Sequence, residues 1–82
     1  MKSIEWKQKA LRQLRKIKDK KLRSMIYDAV GTLKTFPNCS DISKLKGRSE
    51  YRLRVGHWRV IFTDALQILY IEEVKKRNEH TY

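Results

Sequence analysis

The 82-residue sequence predicts an α+β domain, in which a short N-terminal strand precedes a two-helix hairpin packed on an antiparallel sheet of about three to four strands. Three observations predict it. Residues 7–17 and 20–33 carry apolar side chains at intervals of three and four, the period of helices buried on one face. Residues 51–62, YRLRVGHWRVIF, alternate apolar and basic side chains on either side of a Gly-His pair, the pattern of a half-buried antiparallel hairpin. Residues 66–74 are apolar on both faces, which marks a strand inside a sheet rather than at its edge.

The elements follow in order. Residues 3–6 form a strand signal with Ile4 and Trp6 on one face. Ala10, Leu11, Leu14 and Ile17 make the stripe of the first helix. A break at 18–20 follows, where Asp19 suits the N-cap of a second helix bearing Leu22, Met25, Ile26, Ala29, Val30 and Leu33. The short connection implies a helical hairpin with its apolar seam turned to the sheet. Phe36-Pro37-Asn38 ends the second helix, and residues 41–45 are expected as a short turn. Gly56, first in a two-residue loop, calls for a type II′ turn, because only Gly takes the required positive φ without strain. That turn sets Val55 opposite Trp58, Leu53 opposite Val60 and Tyr51 opposite Phe62, placing all three aromatic rings in the core. Residues 63–65 are expected as the next turn. In the strand beyond it Leu66, Ile68 and Tyr70 face one way and Leu69 and Ile71 the other, and residues 75–82 form a polar tail.

The net charge of +11 is extreme for so short a chain and favours nucleic acid, an acidic protein or an anionic membrane surface as partner. A chain of this size buries only roughly 60–65% of its unfolded surface, so the core is small and is expected to be a single domain, 1–82. No apolar run approaches the roughly 20 residues of a membrane span, and the start MKSIEWKQKAL lacks the apolar block of a signal peptide, so a cytoplasmic protein is expected. Cys39 is the only cysteine, which excludes an intrachain disulfide and a thiolate zinc cluster. The acids are scattered without the paired spacing of a divalent-metal nuclease, and no cofactor is expected. Residues 1–34 hold eleven Lys and Arg against three acids, a balance of +8, whereas residues 35–82 hold nine against six, a balance of +3. The helical cations, among them Arg12, Arg15, Lys16 and Lys20, are therefore candidates for contact with a nucleic-acid backbone, as are Lys44 and Lys46 ahead of the hairpin. The alternative is that they are simply solvated faces.

The basic face of the hairpin carries Arg52, Arg54 and Arg59. Its register puts Arg54 directly opposite Arg59, a like-charge pair that costs stability and that a purely structural hairpin tends to avoid. The planar donor forks of several arginines on one rigid surface suit phosphate oxygens, so this face is a candidate polyanion site, against the alternative of three solvated side chains.

The order strand, helix, helix, strand, strand, strand, with KLKG at 44–47, the hairpin at 51–62 and RNEHTY at 77–82, resembles the RelE/ParE superfamily of bacterial toxin-antitoxin toxins along the whole chain. The resemblance implies a small microbial-RNase-like sheet packed against a helical hairpin. In the RelE branch it implies a bacterial, cytoplasmic, metal-independent endoribonuclease that cleaves mRNA in the ribosomal A site and is silenced by a cognate antitoxin. Arg52 and Arg54 stand where the family places two basic residues before the turn. The best-known member has lysines there, and arginine is a poorer base. Arg59 corresponds to the family arginine that stabilises the cleaved phosphate, and Arg77 to a second phosphate-binding arginine. Tyr82 resembles the tail tyrosine that stacks on a base or orients the attacking hydroxyl. His80 with Tyr82 is similar to the proton-transfer pair of other relatives.

The chemistry agrees with those roles. Metal-free RNA cleavage uses the 2′-hydroxyl as nucleophile and needs proton transfer together with neutralisation of a phosphorane. Arg52, Arg54, Arg59 and Arg77 can supply the charge, and His80 is the residue near them whose ordinary pKa permits proton transfer near neutral pH. Glu50 and Glu79 are reserve bases, and His57 reads as an exposed turn residue. Tyr82, outside the core pattern, suits base stacking. Two other functions fit less of the pattern: a ParE-like poison of DNA gyrase without nuclease chemistry, and a noncatalytic RNA-binding module.

Overall fold

The apolar stripes of both helices meet the apolar face of the hairpin in one core. A computed structural model describes residues 1–45, 47 and 49–77. Among them the chain runs β1 (Ser3–Trp6), α1 (Gln8–Arg15), α2 (Lys20–Gly31), a 3₁₀ turn (Thr32–Thr35), β2 (Ile42–Lys44), β3 (Glu50–Val55), β4 (Trp58–Ala65) and β5 (Ile68–Lys76). Ala10, Leu14, Ile17, Ile26, Val30 and Leu33 pack on Leu53, Val60, Phe62, Leu69, Ile71 and Val74. Phe36 packs edge-on against Phe62 and Tyr51, closing the core below the helices. Met25, expected on the buried stripe, is exposed at the edge of that stripe. The helices cover one face of the sheet and leave the other open.

The second helix starts as its sequence demands, with the Asp19 carboxylate accepting the N–H groups of Lys21 at 3.0 Å and Leu22 at 3.2 Å. The Arg23 guanidinium reaches back to the carbonyl of Ile17, tying the two helices together. Where β1 stops short, α1 lies along the edge of β5, and Gln13 Oε1 accepts the Val74 N–H at 2.7 Å.

The sheet has five strands in the order β1-β5-β4-β3-β2, more than the three to four expected, and it is mixed rather than antiparallel. Two additions explain the difference. β1 pairs in parallel with β5, because the helical hairpin carries the chain back across the face before the antiparallel strands begin. β2, expected as a turn, pairs antiparallel with β3, setting Ser43 opposite Arg52; three residues are too few to display an alternation. β5 is internal, as its apolar run predicts.

The central hairpin has the expected register, with Val55 opposite Trp58, Leu53 opposite Val60 and Tyr51 opposite Phe62. Gly56 sits at φ 60 and His57 stays out of the left-handed region, the φ pattern of a type II′ turn. The next turn lies later than expected, at Leu66 and Gln67, so residues 63–65 continue β4. Leu66 takes φ 59 and is 86% exposed, correcting its assignment to a buried strand. Lys2 reverses the sequence signal by bonding both the Asp64 carboxylate at 2.7 Å and the Leu66 carbonyl, which holds Asp64 in the strand.

Candidate active site: an arginine cavity on the open sheet face

On the open face the side chains of β3 and β4 follow the hairpin register. Arg54 stands opposite Arg59, and Arg59 stands in turn opposite Lys75 of β5, so one row across three strands holds three cations. The next row is Arg52, Ile61 and Glu73. Ile61 is only 6% exposed although no helix among the described residues covers it, and its flanking neighbours have long stems of the kind that shield apolar surface.

A bulge shapes the far side of this face. Ile61 pairs with Glu73 but Phe62 pairs with Ile71, leaving Glu72 as an extra residue in β5. Glu72 and Glu73 therefore both reach the open face: Thr63 donates its hydroxyl to Glu72 at 2.9 Å, and Glu73 lies 3.4 Å from Lys9 and 3.7 Å from Lys75. These acids are occupied by neighbours other than the arginines.

The arginines converge at the turn end of the hairpin. A cavity of 360 Å³ is lined there by Arg52, Arg54, Arg59 and Arg77, with Asp41, Ile42, Ser43, Gly56 and Trp58. Arg77 follows β5 and is anchored by its N–H, which donates to the His57 carbonyl at 2.6 Å. Among the described residues, none of the four guanidinium groups forms an ion pair or a side-chain hydrogen bond. Four adjacent unpaired cations in one concavity are costly unless an anion fills it.

The structure thus brings together four of the six expected catalytic residues. His80 and Tyr82 lie outside the described residues, as does Lys46. The expected nucleic-acid contacts are not gathered there. Arg12, Arg15 and Lys16 are exposed on or beside α1, and Lys20 opens α2, all on the helical side of the sheet. Lys44 pairs with Tyr51, whose ring belongs to the core side, so it too points away from the arginines. Several lining residues escaped the sequence. Asp41 lies beside the unrecognised β2, and Ile42 and Ser43 lie in it. Trp58, assigned wholly to the core, packs there with one part and lines the cavity with another.

Burial pushes the Cys39 thiol up, so it is a weak nucleophile away from this cavity. Among the described residues no three His, Cys, Asp or Glu side chains come together to hold a metal ion, and no helix is long and apolar enough to cross a membrane.

A model of the ParE toxin of type II toxin-antitoxin systems matches residues 4–80. The chain belongs to this toxin family. No curated protein matches the sequence. Solved structures share the fold of the ParE-family chain. The isolated E. coli RelE toxin is 15% identical, with 99% of this chain and 89% of that one covered and a TM-score of 0.81. A chain of the chromosomal ParDE system from P. aeruginosa is 18% identical, with 95% and 98% covered and a TM-score of 0.81. A chain of the RelBE2 toxin-antitoxin complex from Mycobacterium tuberculosis is 18% identical, with 93% and 98% covered and a TM-score of 0.79. The expected place in the RelE/ParE superfamily is borne out, and the matched folds include both RelE and ParE systems.

Proposed function

We propose that this toxin is a ribosome-dependent mRNA endoribonuclease that inhibits translation and is itself inhibited by a cognate antitoxin. The observation that carries this is the cavity of four arginines, unpaired among the described residues, which matches the charge and donor geometry of an RNA phosphate and of the phosphorane formed from it. Arg52, Arg54, Arg59 and Arg77 hold the scissile phosphate and stabilise the charge that develops on it. His80 protonates the leaving oxygen, and Tyr82 stacks on a base. Dependence on the ribosome and cleavage in the A site follow from the resemblance to the RelE branch. An antitoxin supplying an acidic or amphipathic segment would neutralise the same cavity, and several matched structures are toxin-antitoxin complexes.

A second reading, a poison of DNA gyrase with no nuclease chemistry, is favoured by the name of the matching family and by the ParDE fold. Induction of the protein in bacteria, with 5′ ends of transcripts mapped beside an Arg59→Ala control, separates the two. New cuts within translated codons that vanish in the variant are expected. Toxicity with DNA damage and intact mRNA would sink the nuclease.

A further inference from the structure

The row of cations on the open face runs past the cavity. Arg59 stands opposite Arg54 on one side and Lys75 of β5 on the other, and Lys75 lies outside the residues that line the cavity. Val74 beside it is buried in the core, so alternation along β5 turns Lys75 to the open face. Neighbouring strands lie about 4.8 Å apart and a lysine has a flexible four-carbon stem, so this ammonium falls one step beyond the arginines across the strands. Along the strands the charge reverses. The next row away from the turn ends in Glu73, and the one after it sets Glu50 opposite Thr63, whose hydroxyl donates to Glu72. A phosphodiester strand leaving the cavity in that direction meets carboxylates, whereas one crossing from β4 to β5 meets Lys75. The Glu73 carboxylate lies 3.7 Å from Lys75 and 3.4 Å from Lys9 of α1, and the Lys75 side chain is 53% exposed. An ion pair so loose and so wet is weak, which lets Lys75 exchange Glu73 for a phosphate.

We propose that Lys75 binds the phosphate next to the scissile one, so that the RNA strand crosses the sheet from the arginine cavity over β4 to β5; this rests on the nuclease reading above. The residue types suit the two places. The arginine forks of the cavity fix the reacting phosphate through paired donors, and a lysine, a mobile point charge, fits a flanking phosphate that does not react. Glu73 is a positioning residue, which keeps the ammonium over β5 before RNA arrives and competes with RNA for it.

The test is single-turnover cleavage of a defined mRNA on programmed ribosomes by the full chain, with the cleaved bond located first for the wild type. Lys75→Gln should raise the half-saturating protein concentration about fivefold and leave the rate at saturation within about twofold, the split expected of a contact made equally before and during reaction. Lys75→Arg, which keeps the charge, should bind as the wild type does, and Glu73→Gln should lower the half-saturating concentration. Two further mRNAs carry one neutral methylphosphonate linkage next to the cleaved bond, on its 5′ or its 3′ side. With one of them, wild type and Lys75→Gln should half-saturate together, because the charge that Lys75 contacts is gone. A merely structural role would keep the gap with both, and the melting temperatures of the variants report on folding. A gap that survives both neutral linkages, or a Lys75→Gln curve that matches wild type on unmodified mRNA, would overturn the subsite and leave the nuclease reading standing. A wild-type protein that cuts no mRNA would bring down both.

Discussion

Arg54 of β3 and Arg59 of β4 are direct cross-strand partners on the open face of the sheet, and among the described residues neither forms an ion pair. Like charges placed directly opposite destabilise a sheet, so the pair opposes folding where it stands. Replacing Arg54 with Thr, a good strand residue, should leave stability unchanged or raise it by up to about 0.5 kcal/mol. Cleavage should fall by about 10²-fold through loss of charge stabilisation. Urea unfolding and a cleavage assay on Arg54→Thr and Arg59→Ala check both halves. A clear loss of stability in both variants would instead make the arginines structural.

The contact between Gln13 and Val74 joins α1 to the strand edge that β1 leaves uncovered. Gln13→Leu should cost about 1–3 kcal/mol, because the Val74 N–H loses its acceptor in a partly buried place. Gln13→Glu retains an acceptor and should cost less. Amide exchange at Val74, faster in Gln13→Leu than in the wild type, would locate the effect.

Asp19 caps α2 with two backbone bonds. Asp19→Ala should destabilise the domain by about 1 kcal/mol, lowering the melting temperature by roughly 4–8 °C for a chain of this size. Asp19→Ser should recover most of that. Cleavage by the folded protein should be unaffected, since the cap lies on the helical side of the sheet.

Several of these relationships were legible in the sequence because each is encoded within a few residues. The period of three and four placed both helices, and the cap residue showed where the second begins. Gly56 alone set the hairpin register, and from it follow the Arg54–Arg59 pair and the common face of Tyr51 and Phe62. The end of β5 was not legible. A strict alternation after Leu69 and Ile71 would bury Glu73, and it is the bulge at Glu72 that brings Val74 into the core and both acids to the open face. The late turn at Leu66 was hidden for a similar reason, since Thr63 and Asp64 look like turn residues until Lys2, far away in the chain, holds Asp64 in the strand.

The local elements, the register of the central hairpin and the basic character of one sheet face can all be read from neighbouring residues along the chain. What stands beside those arginines depends on contacts between distant segments. β2 attaches to β3 through backbone hydrogen bonds, which any residue can make and no side-chain pattern announces. Through that pairing Asp41 and Ser43 join a cavity to which Arg77 comes from the far end of the chain. The charge was written in the sequence; the one carboxylate among the described lining residues was placed by the fold.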